Sequence, residues 1–387
     1  MVRAHTPAPQ LVDRADLDDL FRVLQDRGYT TVGPTRRDGA IVYDEIGDSS
    51  DLPAGWTDEQ EAGTYRLVRR DDEALFGYVV GPHAWKKFLF PPRTDLFTME
   101  RHNGSLRFAA PDVPSSPYAF MGVRACELAA IQIQDTVFLE SGAVDRTYEA
   151  RRRHALIVAV NCGVAGGTCF CVSMGTGPAC TNGFDLALTE IIEDGRHVFL
   201  VEAGTDRGAE IVEALPGRPA DREDVDRATA IVGRTAENMG RTLDTRGIKE
   251  LLAENLGHQH WQQVGDRCLS CANCTLACPT CFCSTMEDST GLDPSSAVRT
   301  RRWDSCFSLD FSSLHNHPLR SSTSSRYRQW LTHKLGSWID QFGSSGCVGC
   351  GRCITWCPVG IDLTAEVAAI RSSPITQTPT NEKRVTT

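Results

Sequence analysis

The sequence has no run that approaches the ~18 uninterrupted apolar residues of a membrane helix. Its strongest apolar stretches, Ala155–Val160 and Val198–Val201, are short and read as buried strands. It also has no basic excess: among 387 residues, 50 acidic side chains outnumber 40 basic ones, for a net charge of −10. That balance argues against a nucleic-acid backbone as partner and suits an ordinary soluble subunit. The opening Met-Val-Arg-Ala-His-Thr-Pro contains no apolar h-region, so the expectation is a chain that stays in the reducing cytoplasm. Cysteine, by contrast, is abundant, with sixteen residues. In a large chain without an export signal, disulfides do not account for them, and metal does.

Half of the cysteines fall in two near-copies of one pattern. These are Cys268-x2-Cys271-x2-Cys274-x3-Cys278-Pro279 and Cys347-x2-Cys350-x2-Cys353-x3-Cys357-Pro358. This is the bacterial ferredoxin spacing. Three thiolates two residues apart wrap three corners of a 4Fe-4S cube, and the fourth, before a proline that turns the chain away, reaches the other cluster. The expected ligand sets are therefore crossed: Cys268, Cys271, Cys274 and Cys357 for one cluster, and Cys347, Cys350, Cys353 and Cys278 for the other. Structural zinc is the alternative, but zinc sites pair two-cysteine knuckles and do not need a third cysteine two residues on. The pattern points to electron transfer.

The fold class expected is α+β, with a mixed α/β domain over residues 1–220, a helical ferredoxin-type dicluster domain over 221–371 and a disordered tail over 372–387. The periodicity predicts a helix from Leu17 to Gly28 and a hairpin of Tyr29–Val32 with Ile41–Tyr43. A second strand pair, Tyr65–Val68 and Ala74–Val80, flanks Arg70-Asp71-Asp72-Glu73, and a helix spans Pro82–Phe90. Tyr118–Val123, Ala155–Val160 and His197–Val201 read as strands, Glu127–Phe138 as a helix, and Ile211, Val212 and Leu215 mark another. Pro216–Arg222, with two prolines and a glycine, is the best boundary. Helices over Glu223–Arg241 and Thr245–Leu256 lead into the first cysteine run. The long insertion between the runs reads as further helix, including Ser325–Ile339. The tail from Ser372 is rich in Ser, Thr and Pro.

Among the remaining cysteines, Cys126 sits at a strand-to-helix turn and Cys162 directly follows the strand Ala155–Val160. The loop after it carries Cys169 and Cys171. Neighbouring parallel strands would bring these to the carboxyl edge of a sheet, where α/β proteins build their sites. A third 4Fe-4S cluster held by Cys126, Cys162, Cys169 and Cys171 is the reading favoured over buried free thiols, because cysteines on glycine-containing loops are not a core pattern. Cys180 is a substitute for one of the four. The loop Gly163-Val-Ala-Gly166-Gly167 matches a dinucleotide phosphate loop poorly. Cys281, Cys283 and Cys306 lack ferredoxin spacing and read as neighbours of the clusters or as packing. Arg299, Arg301, Arg302, Arg320, Arg326, Arg328 and Lys334 make the insertion locally basic, and cations beside an anionic cluster raise its potential. His315 and His317 read as a surface loop.

Several longer motifs carry a resemblance. These are Gly122-Val-Arg-x-Cys126, Asn161-Cys162, Cys169-Phe-Cys-Val-Ser-Met-Gly-Thr-Gly-Pro178, Cys278-Pro-Thr-Cys-Phe-Cys283, Arg302-Trp-Asp-Ser-Cys306, His333-Lys-Leu335 and Cys347-Val-Gly-Cys-Gly-Arg-Cys353, together with Phe88-Leu-Phe-Pro-Pro-Arg93. Over about residues 10 to 370, the chain resembles the β subunit of cytoplasmic NAD(P)-linked NiFe hydrogenases (sulfhydrogenases). It also resembles the related iron–sulfur subunit of anaerobic sulfite reductase. The resemblance implies a non-catalytic iron–sulfur subunit that relays electrons between a flavin subunit handling NAD(P)H and the catalytic subunits, without nucleic-acid or membrane partners. No nickel-site cysteine pairs, convincing dinucleotide fingerprint or sirohaem signature is apparent in the chain. The hydrogenase complex is the preferred setting, and the sulfite (or polysulfide) reductase is the alternative.

Overall fold

The computed structural model describes residues 8–79, 81–103, 105–110, 117–291, 295–315 and 317–373. Its strands are β1 (Gln10–Asp13), β2 (Thr30–Arg37), β3 (Ala40–Glu45), β4 (Trp56–Glu61), β5 (Thr64–Arg69), β6 (Arg93–His102), β7 (Ser105–Ala109), β8 (Tyr118–Val123), β9 (Leu156–Val160), β10 (Leu186–Glu193), β11 (Arg196–Ala203), β12 (Arg218–Pro219), β13 (Ser284–Thr290) and β14 (Ser296–Trp303). The architecture is α+β, with a large sheet, a smaller one and a mainly helical cysteine-rich region. Among the described residues, no helix is long and apolar enough to cross a membrane.

The large sheet runs β12-β1-β11-β10-β9-β8-β2-β3. Its centre is parallel, with β2 beside β8, β8 beside β9 and β9 beside β10. Strand periodicity sorts the two faces. Ala119, Met121, Leu156, Val158 and Val160 point to one side, against Leu17, Leu20, Phe21 and Leu24 of the helix Leu17–Asp26 and against Ile211 and Val212. Phe120, Ile157 and Ala159 point to the other, against Leu128 and Ile131 of the helix Ala125–Asp135 and against Tyr148. The helix Arg222–Glu237 lays Ala228 on Leu11, Val198 and Leu200, so the chain beyond Pro216 first covers the large sheet before it reaches the cysteine runs.

The small sheet, β13-β14-β6-β7, is antiparallel and joins two distant parts of the chain. The sequence reading expected helix throughout the insertion between the runs. Helix is present at Thr323–Thr332, followed by a wide π-helical turn at His333–Ser337, but the hairpin β13–β14 precedes them. Two other expectations also change. Ala74–Val79 is not a strand, and β5 pairs with β4 instead. The backbone amides of Leu75 and Phe76 donate to the Glu190 carboxylate at 2.7 and 2.9 Å, and Val79 donates to Asp58 at 2.7 Å. Carboxylates thus satisfy the N–H groups that a ladder would otherwise take. The Pro82–Phe90 segment keeps only the single turn Lys86–Leu89 as helix. The expected disordered tail lies, from residue 374 on, outside the described residues.

Candidate metal centres

Each cysteine run folds into the same loop. Ser270 and Ala272 of the first run take left-handed backbone at φ 51° and 68°, and Gly349 and Gly351 of the second do so at 64° and 74°. In both, the residue two past the first cysteine donates its N–H back to that sulfur: Ser270 to Cys268 Sγ at 3.4 Å and Gly349 to Cys347 Sγ at 3.5 Å. Ile361 N donates to Cys357 Sγ at 3.3 Å. Such N–H···S bonds favour a thiolate and hence a cluster corner.

The loops bring the eight cysteines around two gaps. Cys268, Cys271, Cys274 and Cys357 line one, together with Cys353, walled by Phe307, Tyr327 and Trp330. Cys278, Cys347, Cys350 and Cys353 line the other, with Phe170, Pro279 and Lys334. Eight thiols on ferredoxin spacing around two gaps, with a cysteine of the other run at each, fit two four-iron cubes.

Burial pushes the thiols of Cys274 and Cys353 well up and that of Cys347 up to about 12. Iron must therefore displace protons when it binds. Cys278 is the exception. Its thiol is pushed well down, first by a hydrogen bond from Cys281 and then by Lys334. Lys334 is 3% exposed. Its Nζ reaches Cys278 Sγ at 3.2 Å, Thr280 Oγ1 at 3.1 Å and Gly346 O at 3.0 Å. The wide turn at His333–Ser337 presents this ammonium to the second gap. Of the basic residues singled out in the insertion, Arg299, Arg301 and Arg302 are instead engaged by Asp288, Asp145 and Glu287. Arg326 caps the first run through Ser270 Oγ at 3.1 Å.

The sequence reading missed three cations at these sites. Arg352 stands between two cysteines of the second run. It is 1% exposed, bonds the Gly81 carbonyl at 3.0 Å through Nε, and pairs with Glu127. Glu127 Oε2 also accepts from Tyr43 Oη at 2.8 Å and Trp85 Nε1 at 3.1 Å. Arg124, buried at the end of β8, donates to the carbonyls of Phe76 and Tyr78 at 2.8 and 3.0 Å and opposes the upward pull of burial on Cys162. Lys86 donates to the Cys281 carbonyl at 3.0 Å and lies 4.1 Å over the Trp303 ring. An arginine inside a cysteine run, and one beside Cys126, were the available signals.

The four N-terminal cysteines lie where parallel strands end. β8 and β9 are neighbours, and Cys126 and Cys162 follow them at the carboxyl edge. Cys126, Cys169 and Cys171 pack with Val79, Val348 and Cys350 of the second run in one cluster of buried residues. Burial raises all four thiols, with Cys171 pushed up to about 12, and the charge of Cys162 acts on each of the other three. Cys180 stands apart in a cavity of about 650 Å³, although its thiol also feels Cys162. Close packing accounts for the glycines of the 163–167 loop. A Cβ at Gly167 would lie 2.0 Å from the Gln60 carbonyl oxygen, so this loop is pressed against β4 and offers no phosphate cradle. His315 and His317 are exposed, as expected of a surface loop.

A protein with two ferredoxin-spaced cysteine runs folded around a pair of gaps is a dicluster iron–sulfur protein. Residues 267–361 match the family model for a 4Fe-4S dicluster domain. Over 318 residues, 81% of this chain and 90% of the relative, the sequence is 31% identical to sulfhydrogenase 2 subunit beta of Pyrococcus furiosus. The chain belongs to the sulfhydrogenase β-subunit family.

Proposed function

We propose that this protein is the iron–sulfur relay subunit of a multi-subunit hydrogenase. It would pass electrons between a flavin subunit that handles NAD(P)H and a catalytic NiFe module, and it would not itself be catalytic. The observation that carries this reading is the crossed pair of four-cysteine gaps, with the N-terminal cysteines packed against the second. Cys268, Cys271, Cys274 and Cys357 hold the first cluster, and Cys347, Cys350, Cys353 and Cys278 hold the second. Cys126, Cys162, Cys169 and Cys171 hold a third. When bound, each 4Fe-4S cluster supplies one-electron chemistry.

The chain's own residues shape that chemistry. Lys334, Arg352 and Arg124 place buried positive charge beside the thiolates and favour the reduced, more anionic state. Phe307, Tyr327 and Trp330 keep water from the inner wall of the first site. Nicotinamide gives up a hydride, two electrons at once, so a flavin must stand between it and such a relay. The complex would work in the cytoplasm, where reducing conditions keep sixteen thiols available for metal.

Anaerobically purified protein should contain about eight irons if two sites load and about twelve if the N-terminal site loads as well. The single chain should accept electrons from a strong reductant yet oxidise no NAD(P)H until flavin and catalytic subunits are added. NAD(P)H turnover by the chain alone, with a flavin of its own, would end the relay reading.

A further inference from the structure

Three cysteines that the proposed clusters do not use gather beyond Cys278. Cys281 and Cys283 follow the first run, and β14 returns the chain beside them. Ser284 pairs with Trp303, and the Asp304 amide donates to the Cys283 carbonyl at 2.9 Å. This register carries Cys306 toward Cys283, and both line one cavity. Two cysteines that paired strands carry to one cavity wall are placed for a bond between them.

The pair also has a position and an outlet. Cys306 feels the charge of Cys274 from the first run set, and Cys283 stands five residues past Cys278 of the second. Cys281, Cys283 and Cys306 line a cavity of about 330 Å³ together with Arg320, His333 and Lys334. The indole N–H groups of Trp330 and Trp338, on the same wall, have no hydrogen-bond partner among the described residues.

We propose that Cys283 and Cys306 form a reversible dithiol/disulfide centre, a two-electron store attached to the one-electron relay. The inference rests on the relay reading. Reduction breaks the Cys283–Cys306 S–S bond. It takes two electrons, delivered singly by reduced iron–sulfur clusters of this chain, and two protons from solvent through the cavity, leaving two thiols. Oxidation forms the S–S bond and returns both electrons and both protons. The two thiols are unequal, as exchange chemistry favours. Cys283 is pushed down to about 7 by its hydrogen bond from Cys306, helped by Lys334 and Lys86, while Cys306 is pushed up by the same contact. A store of this kind would hold a pair of electrons until the one-electron relay carries them on singly.

The test uses the full, iron-loaded chain under anaerobic conditions. Samples poised oxidised or reduced are quenched in iodoacetamide, digested and mapped by mass spectrometry. A Cys283–Cys306 cross-linked peptide is expected in the oxidised sample, with both cysteines alkylated in the reduced one. Cys283→Ser and Cys306→Ala should each keep the full iron content and take up two fewer electrons in a reductive titration. No cross-link in the oxidised wild-type chain would overturn the proposal, whether or not the variants fold. Loss of about four irons from either variant would overturn it too, by making these residues cluster ligands. Failure of the relay reading would look different, because the wild-type chain would then lack iron or reducible clusters.

Discussion

The two cysteine runs fold into one backbone shape and live in opposite surroundings. In the first, Cys271 is exposed and the left-handed positions are held by Ser270 and Ala272. In the second, Cys350 is 8% exposed, and glycines stand at 349 and 351. The difference is steric. A Cβ at Gly349 would come within 2.6 Å of the Phe170 backbone, and one at Gly351 within 2.4 Å of Thr168 Oγ1. The first run faces outward and tolerates side chains at a strained backbone, whereas the second is pressed against the loop that carries Cys169 and Cys171. Sequence similarity makes the runs look equivalent, but packing leaves one loop at the surface and presses the other into the interior.

The harshest way to break the inner run is to disarm its buried ion pair. Arg352→Met leaves the Glu127 carboxylate buried without its cation, and such losses cost about 3–5 kcal/mol. Chemical denaturation of the loaded protein should show that drop, and a change below about 1 kcal/mol would contradict the interior reading. Next comes Gly351→Ala, which combines left-handed strain of about 1–2 kcal/mol with the clash against Thr168. It should lower iron content by about four per chain, with the second site lost first.

The runs should also differ chemically. A chelator added to the reduced protein should strip the first site before the second, because only the first opens at an exposed cysteine. Equal rates for the two sites would erase the distinction. Lys334→Met should lower the midpoint potential of the second site by tens of millivolts and leave the first almost unmoved, as followed by spectroscopic redox titration. The smallest effect is a gain: Ala272→Gly should relieve strain in the outer loop and stabilise by up to about 1 kcal/mol, read as a shift in denaturation midpoint.

What was legible in the sequence is what short-range chemistry dictates. The cysteine spacing specifies the loops, which take the same backbone shape in both runs. Strands β8 and β9 announce themselves as apolar runs, so the cysteines just past them could be assigned to one sheet edge. The hairpin β13–β14 was not legible, because Arg299, Arg301 and Arg302 make it read as a basic helical insertion. Their partners, Asp288, Asp145 and Glu287, are evident only once the strands pair. Ala74–Val79 has the composition of a strand, but Glu190, a residue of β10, takes its amides. Arg352 and Glu127 stand 225 positions apart, and no local pattern signals that they meet.

The small sheet governs the timing of biogenesis. Arg93 of β6 pairs with Arg302 of β14, so about 200 further residues must leave the ribosome before β6 finds its neighbour, roughly 10–40 s at ordinary elongation rates. Through that interval β6 and β7 present an unpaired edge to the cell. Exposed Leu106 and Phe108 on β7 add stickiness to it. If the ligand sets are crossed as proposed, one ferredoxin-type cluster waits for Cys353 and the other for Cys357, both long after Cys268. Iron delivery is therefore forced to come late, acting on a polypeptide already built through both runs.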